Sequence, residues 1–447
     1  MKIQNENLNE NPNENENENK NSNVKKRINK KHPLKPRKTF EPELVPLLEK
    51  MEIQNVVPRG MLNLSLCGVF FIVLGLIITK YREEGKIVEW KYLFIVLKNY
   101  PYLFAVITIE ALISFLMFLL KQLFLKKIIS RFLYIFLYLI AEFSVIGSHI
   151  ISILKLPLDP FSRAFLGLVT TIQIFKTFSY SFTYPKNHKK KNTKEINEKN
   201  ELNQSIWKNF QNFVYFYACP SLVYQDQFPR TEKIRIKYAL KELALFLGSV
   251  IIVYIIFANN LAPLLTKEAL MNDFLFTVIR ASPPATIAWL FIFYAFFHCW
   301  LNFLSEILYY GDRYFYGKWF NACTIRDFWR TWNILVHKFL FRHVYKYSVN
   351  DLQFRKETSV WIVFLISAFF HEFVLAGAFK LFRPYFFFAI FSQAALIKIQ
   401  PYLGNYFNGE IGGNLLLWST LYMMPLIELL YIRSWMISTE KATSNTF

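Results

Sequence analysis

The sequence predicts an all-α polytopic membrane protein with about nine transmembrane helices. Hydrophobic residues make up 53% of the 447 positions and aromatic residues 18%, including 47 Phe. Charged residues account for only 19%, below the roughly one quarter that is typical of soluble domains. Apolar runs of membrane-spanning length, about 20 residues each, recur along most of the chain. A soluble globular fold is therefore excluded.

Nine apolar segments are long enough to be candidate spans, at 61–79, 98–120, 129–153, 161–181, 239–260, 276–305, 358–378, 383–399 and 413–435. Lys and Arg are expected at the cytosolic ends of such spans. Three lysines follow the second span within 121–127, and five follow the fourth within 186–194. This alternation predicts a cytosolic N-terminus and a luminal C-terminus. Segments 183–238 and 306–357 are then cytosolic, and their mixture of aromatic and basic residues is typical of interfacial helices.

The N-terminal residues 1–45 form a low-complexity Asn/Glu/Lys tract that continues into a basic run. We expect a disordered cytosolic tail, because it contains almost nothing apolar to bury. The whole chain has a net charge of +20. Of the partners that the basic run could bind, an anionic bilayer surface is favoured over nucleic acid, given the hydrophobic mass that follows. The preferred interpretation is a solvated tail that only biases the topology. Residues 46–447 form the predicted membrane domain. Its cysteines lack CxxC spacing, so neither a disulfide framework nor a metal site is predicted.

An ionisable pair, His371 and Glu372, stands inside the seventh predicted span, in the sequence SAFFHEFVLAGAF. Ionisable groups at membrane depth are costly and often functional. Ser367 lies four residues before His371 on the same helix face, where its side chain is expected to bond the imidazole. Glu372 points about 100° away and is expected to hold a neighbouring helix. A neutral histidine in this setting can act as a general base toward a hydroxyl; the alternative is a structural His–Glu pair.

A second group of polar residues lies among aromatic side chains in the 306–357 segment. Asn321 and Asn333 are amides that can donate and accept hydrogen bonds without titrating, which suits substrate orientation. Lys338 and Arg342 are four residues apart on one helix face and can meet the phosphates of a soluble co-substrate. The alternative for these two charges is a solvated or headgroup-facing surface. GxSxG, P-loop and HExxH motifs do not occur in the sequence, so serine hydrolase, nucleotide-driven and zinc peptidase chemistry are not indicated.

Four blocks, in order, resemble the membrane-bound O-acyltransferase superfamily, in the branch of sterol and diacylglycerol O-acyltransferases. They are PSLVYQDQFPRT (220–231), FFHCWLNFLSEILYYGDRYFYGKWFN (296–321), WNILVHKFLFRHVY (332–345) and SAFFHE (367–372). The resemblance implies about nine helices around a buried catalytic chamber, with cytosolic interfacial helices. It also implies transfer of a fatty acyl group from acyl-CoA to a lipid hydroxyl, with acyl-CoA as co-substrate and without a bound cofactor.

By this resemblance, His371 matches the catalytic histidine that deprotonates the acceptor, and Asn333 matches a second essential residue. The resemblance further implies a substrate path formed by Asn321, Ser367, Glu372, Gln393, Phe315, Tyr316, Trp319, Phe320, Trp332, His337, Lys338 and Arg342. Family members usually assemble as homo-oligomers in the endoplasmic reticulum membrane, and the same is implied here. The expected partners are fatty acyl-CoA, a diacylglycerol or sterol, and the bilayer.

The sequence departs from the branch signature FYxDWWN, which stands here as FYGKWFN at 315–321. Lys318 replaces an aspartate and Phe320 replaces a tryptophan, which motivates the alternative of a non-catalytic lipid-binding or transport homologue.

The sequence leaves two classes of acceptor lipid open, sterols and diacylglycerols. LVYQDQFPRT and HCWLN are more similar to the sterol enzymes, whereas PRGMLN, KTFSY, HKFLFRHVY and SAFFHE are more similar to the diacylglycerol enzymes. The diacylglycerol-type blocks are spread along the chain and include His371. Diacylglycerol is therefore favoured as the acceptor, and a sterol, which would give a steryl ester, is the alternative.

Overall fold

A computed structural model describes residues 59–183, 206–403, 410–422 and 424–444. All regular secondary structure in these ranges is helical, apart from an isolated bridge between Arg230 and Tyr310. The all-α prediction is confirmed. The predicted tail at 1–45 and the lysines within 186–194 lie outside the described residues.

The described helices, in chain order, are α1 (Arg59–Glu84), α2 (Lys91–Leu125), α3 (Arg131–Lys155), α4 (Pro160–Phe182), α5 (Ile206–Ala218), α6 (Ile236–Leu264), α7 (Lys267–Asn272), α8 (Phe274–Ile307), α9 (Ile325–Thr331), α10 (334–350), α11 (Lys356–Phe379), α12 (Tyr385–Ile399), α13 (Glu410–Tyr422) and α14 (Met424–Ser444). Helices α6, α8 and α10 each contain a π-helical stretch, at Phe257–Leu261, Tyr294–Trp300 and Phe341–Tyr345. Such stretches often occur at functional sites.

Six helical segments of the described chain are long and apolar enough to cross a membrane: α2, α3, α6, α8, α11 and the α13–α14 pair. The other three predicted spans coincide with α1, α4 and α12, which fall outside that set. Helix α12 has 15 residues and is therefore about 22 Å long, short of a bilayer core of about 30 Å. The chain is a multi-pass membrane protein, and the number of nine crossings stays a prediction.

Polar side chains inside the apolar helices α2, α3 and α4 hydrogen-bond one another. Thr170 on α4 donates to Glu110 on α2 at 2.9 Å, and Thr177 on α4 donates to Glu142 on α3 at 2.6 Å. Glu110 is fully buried. Because hydrocarbon offers no hydrogen-bond partners, bonds of this kind fix which helices are neighbours and in what register. The three helices therefore form a scaffold that is polar inside and apolar outside.

The scaffold meets helix α11 where two glycines remove side-chain bulk. A Cβ atom on Gly377 would lie 2.9 Å from Ile153 Cδ1 and 3.4 Å from His149 Nε2. A Cβ atom on Gly167 would lie 3.3 Å from the Cα of Val374. The buried imidazole of His149 occupies the space between these helices, with its ring 4.7 Å from that of Phe373. Close contact at this junction sets the position of α11 relative to α3 and α4.

Gly377→Ala is expected to destabilise this junction by about 1–3 kcal/mol, because the added methyl group overpacks it. Ile153→Val deletes the Cδ1 atom that the new methyl group would meet, so the double variant should recover part of the loss. Thermal unfolding in detergent measures both effects. Gly147→Ala on α3 is the control, since nothing lies within 4 Å of its added Cβ. No recovery in the double variant would contradict the proposed contact.

The helical structure that is predicted for 306–357 does not extend over the first part of the segment. After α8 ends, residues 308–318 are irregular, and only one short 3-10 turn, Trp319–Asn321, precedes α9. The backbone of Tyr309 is left-handed, with φ of 55°, which ends the helix. Glu306 then holds the irregular segment: its carboxylate accepts from Arg235 at 3.0 Å and from the buried Arg313. The aromatic residues of this segment recur at helical spacing, but the ion pairs of Glu306 determine its backbone conformation.

Candidate active site

His371 lies in the C-terminal half of α11, and its side chain is exposed although the helix is a candidate span. Its Nδ1 bonds the main-chain oxygen of Ser367 at 2.7 Å. The predicted bond to the serine side chain is therefore wrong: the imidazole bonds the main-chain carbonyl oxygen of the same serine, one turn earlier on the helix. A carbonyl only accepts, so Nδ1 carries the proton and Nε2 presents a lone pair. The tautomer is the one that a general base needs.

The neighbouring Glu372 is buried and joins three parts of the structure, as the sequence predicts for a helix-holding residue. Its Oε2 accepts from the backbone N–H of Phe387 on α12 at 3.1 Å. Its Oε1 meets the hydroxyl of Tyr431 on α14, which also meets the carbonyl oxygen of Arg383. The imidazole of His371 stacks on Phe386 at 5.5 Å. Glu372 and Tyr431 thus lock the helices that surround the histidine, and sequence reasoning missed Tyr431.

Tyr431→Phe is expected to lower the free energy of unfolding by about 1–3 kcal/mol, since it leaves buried oxygen atoms without their donor. Any acyltransferase activity should fall through kcat, with KM for acyl-CoA nearly unchanged, because His371 shifts while the co-substrate entrance does not. Thermal melting and steady-state kinetics of the purified protein measure the two effects. Tyr402→Phe, at a side chain that is 83% exposed, is the matched control. Equal melting temperatures for the two variants would contradict this role.

Asn333 starts helix α10 as its N-cap: its side-chain oxygen accepts from the backbone N–H of Val336 at 3.1 Å. This bond fixes the side-chain oxygen, and the amide NH₂ keeps its capacity to donate. Val336 packs in one hydrophobic cluster with Ile366 and Phe370 of α11. The start of α10 is therefore adjacent to the helix that carries His371.

The predicted aromatic residues form one cluster beside α8. Trp332 stacks on Trp289 of α8 with ring centroids 4.6 Å apart, and Trp319 lies edge-on to Trp332 at 4.9 Å. The members of this cluster include Phe315, Tyr316, Trp319, Phe320, Trp332, Trp289 and Phe293. Asn321, at the end of the 3-10 turn, and Lys318 are exposed. The predicted aromatic residues therefore pack against one another, and the exposed Lys318 lies outside their cluster.

A histidine of α8 reaches into this aromatic cluster. Nδ1 of His298 is 2.8 Å from the hydroxyl of Tyr316, and its Nε2 is 3.9 Å from Oε2 of Glu242 on α6. All three residues are buried. The contact joins two spans to the FYGKWFN segment, so this segment is held by a polar contact as well as by ring packing. The HCWLN block contains His298, but sequence alone did not reveal its partners.

The predicted co-substrate residues of α10 make contacts within the protein. Lys338 pairs with Asp312 at 2.8 Å, and Arg342 donates to the carbonyl oxygen of Tyr224 at 3.1 Å. His337 is half-buried and lies 6.0 Å from the ring of Phe341. Gln393 on α12 donates to the carbonyl oxygen of Ala389 at 3.3 Å. Lys338 and Arg342 thus position the segments around them, and their predicted contact with phosphates stays a prediction.

His343 adds a buried contact next to Arg342. Its Nε2 is 2.8 Å from the hydroxyl oxygen of Ser179. The same oxygen accepts a hydrogen bond from the backbone N–H of Tyr224 at 2.9 Å. Burial, followed by the charge of Arg342, lowers the pKa of His343 from 6.5 to about 4. The ring is therefore neutral throughout the physiological range. Its hydrogen bond with Ser179, together with the bond from Tyr224 to the same hydroxyl, keeps the PSLVY block against α4.

These features define a polytopic α-helical membrane protein with an ionisable site inside the bilayer. Residues 73–434 match the MBOAT, membrane-bound O-acyltransferase family. The chain belongs to this family and is an acyltransferase, as the sequence blocks indicate.

Curated relatives cover most of the chain. It is 30% identical over 401 residues to diacylglycerol O-acyltransferase 1-2 of Oryza sativa subsp. japonica, covering 86% of this chain and 83% of that protein. It is 30% identical over 387 residues to diacylglycerol O-acyltransferase 1 of Arabidopsis thaliana, covering 83% and 72%. It is 29% identical over 388 residues to diacylglycerol O-acyltransferase 1C of Glycine max, covering 83% and 74%.

Proposed function

We propose that this protein is an acyl-CoA:diacylglycerol O-acyltransferase that forms triacylglycerol. The observation that carries the proposal is the imidazole of His371, held by the Ser367 carbonyl with Nε2 presented as a base inside an apolar span. The acceptor class is supported by the names of the relatives that cover most of the chain. It is also supported by the diacylglycerol-type blocks around His371 and His337.

In the proposed reaction, Nε2 of His371 removes the proton from the acceptor hydroxyl as its oxygen attacks the thioester carbonyl carbon of acyl-CoA. The C–O bond forms, the C–S bond breaks, and the CoA thiolate takes the proton back from the imidazolium. Atoms and charge balance without another reactant, and the thioester supplies the driving force. The Nδ1 bond to Ser367 keeps the ring in one orientation through both proton transfers.

The other predicted residues fit roles of orientation and access. We assign Asn333 and Gln393 to hydrogen bonding along the chamber, and Asn321 with the aromatic cluster of Phe315, Tyr316, Trp319, Phe320 and Trp332 to the acyl entrance. Ser367 and Glu372 position His371. Acyl-CoA would enter from the cytosolic side near His337, Lys338 and Arg342. An endoplasmic reticulum location, a cytosolic N-terminus and a homo-oligomer complete the proposal, and no cofactor is required by the chemistry.

A sterol O-acyltransferase is the second candidate, because the LVYQDQFPRT and HCWLN blocks resemble the sterol enzymes. The contact of His298 with Tyr316 connects the second of these blocks to the FYGKWFN segment. The reaction would be the same, with a sterol hydroxyl in place of the diacylglycerol hydroxyl. The two candidates therefore differ in the acceptor lipid and in the ester that is formed.

Microsomes that contain the protein, supplied with labelled oleoyl-CoA and equal amounts of diacylglycerol and sterol, should produce labelled triacylglycerol. His371→Ala should lower the rate by about 10²- to 10⁴-fold, which is the usual contribution of a general base. Lys398→Ala, at an exposed side chain of α12, should leave the rate unchanged. Products separated by polarity measure the outcome. Labelled steryl ester in place of triacylglycerol would support the second candidate, and no histidine-dependent product would overturn both.

The acyl-transfer rate is also expected to rise with pH and then level off between about pH 5 and 8. Protonated His371 has no lone pair at Nε2, so only the neutral ring accepts the hydroxyl proton. The rising limb should follow a single ionisation in the rate of triacylglycerol formation, measured at saturating oleoyl-CoA. A flat profile for a fully stable protein would remove His371 as the base.

A further inference from the structure

Residues 319–325, which we call the entrance turn, lead from the 3-10 turn after the FYGK residues into helix α9. They contain Asn321, which the proposed function assigns to the acyl entrance. Main chain near a membrane surface is ordinarily satisfied by water or by its neighbours in sequence. In the entrance turn, several main-chain groups are instead bonded by amide side chains from the last part of the chain.

A buried glutamine bonds the second half of the entrance turn. Gln400 lies in the short 3-10 turn that follows α12, and it is 3% exposed. Its Nε2 donates to the carbonyl oxygen of Cys323 at 3.2 Å, and its Oε1 accepts from the backbone N–H of Ile325 at 3.0 Å. One side-chain amide therefore satisfies a main-chain acceptor and a main-chain donor on either side of residue 324.

An asparagine of α13 bonds the first half of the entrance turn. Nδ2 of Asn414 donates to the carbonyl oxygens of Phe320 and Ala322, at 3.1 and 2.9 Å. An amide NH₂ has two hydrogens, one for each of these carbonyl groups. One turn further along α13, the ring of Trp418 lies 5.9 Å from that of Trp319. Polar bonds and ring packing thus hold the entrance turn against α13.

The helices that provide these amides also hold the helix of His371. At the other end of α12, the backbone N–H of Phe387 donates to Glu372 at 3.1 Å. Gln400 lies about 20 Å further along the axis of α12. Helices α13 and α14 lie in one candidate span, and Tyr431 of α14 contacts the same carboxylate. Two separate connections therefore extend from the entrance turn to the residue next to His371.

We propose that Gln400 and Asn414 are positioning residues that hold the entrance turn in the conformation that binds acyl-CoA, aligned with His371. The inference rests on the proposed function, in which Asn321 and the aromatic cluster form the acyl entrance. The bonds of the two amides described above all go to main-chain atoms, so their effect on the reaction is through the turn. A misplaced entrance matters because transfer requires the thioester carbonyl within about 3–3.5 Å of the attacking oxygen.

This role predicts a specific kinetic change. Without the amides the entrance turn populates other conformations, and only the fraction in the binding conformation takes up acyl-CoA. The apparent affinity falls with that fraction, whereas saturating acyl-CoA restores the binding conformation. The KM for acyl-CoA should therefore rise while kcat and its dependence on pH, which report on His371, stay unchanged.

The first test measures steady-state kinetics of the purified full-length protein with oleoyl-CoA and diacylglycerol. Asn414→Leu and Gln400→Met keep the side-chain volume but remove the amides, and each should raise the KM for oleoyl-CoA about tenfold. Gln400→Glu keeps an oxygen for the N–H of Ile325, so its KM should lie between those of the wild type and Gln400→Met. The matched control is Asn272→Leu, which removes an exposed amide at the end of α7.

The second test uses Cys323, which lies inside the entrance turn, and needs no turnover. Cys323 is half-buried, Cys219 and Cys299 are buried, and the exposed Cys67 is replaced by serine. A hydrophilic maleimide should then label Cys323 about threefold faster in Asn414→Leu and Gln400→Met than in the parent protein, because the loosened turn exposes the thiol. Saturating oleoyl-CoA should bring the rates back together, since it selects the binding conformation.

The outcomes separate this inference from the proposed function. An unchanged KM for oleoyl-CoA in both amide variants, or a fall in kcat without a rise in KM, overturns the positioning role while diacylglycerol acylation by the wild type stands. Equal labelling of Cys323 in the parent and both variants overturns it as well, whether or not a variant is active. A wild-type protein that forms no His371-dependent ester overturns the proposed function itself, and the labelling rates then still show whether the amides fix the turn.

Discussion

The structure depends on one constraint: polar groups that lie inside a hydrocarbon environment need hydrogen-bond partners within the protein. The membrane offers no partners for a buried carboxylate or hydroxyl, so these groups must find each other across helices. Glu110 and Glu142 are bonded by threonines of α4, and Glu372 is bonded by α12 and α14. Each carboxylate thereby specifies a helix pair that apolar packing alone would leave variable. The scaffold that presents His371 is built from these bonds.

The same constraint shapes His371 itself. Its Nδ1 finds an acceptor within its own helix, the Ser367 carbonyl at 2.7 Å. No second helix is needed to fix the tautomer, so Nε2 is left for the hydroxyl that the proposed reaction requires. Adjacent residues of α11 therefore have different roles: Glu372 joins helices, and His371 presents the lone pair that the proposed reaction uses. The close junction at Gly377 and His149 then holds α11 against the polar scaffold of α3 and α4.

The sequence alone was sufficient for those features that local pattern determines. Apolar length predicts helices, and a His–Glu pair within an apolar run predicts a site, because both signals lie in a single segment. Tyr431 and His149 act through contacts with distant segments, which one sequence cannot reveal. The irregular start of the 306–357 segment was missed because its aromatic spacing is helical, while the ion pairs of Glu306 and the left-handed Tyr309 determine its backbone.

A reaction chamber within the membrane, which the proposed function requires, offers few polar groups, and each of them can therefore be selective for its ligand. In water a stray carboxylate is solvated and discriminates little between ligands. In an apolar chamber it is stabilised only by a donor that the protein or the ligand supplies. Glu372 has protein donors and so serves structure. In the proposed reaction, Nε2 of His371 takes its donor from the acceptor lipid, since Nδ1 already bonds the carbonyl oxygen of Ser367.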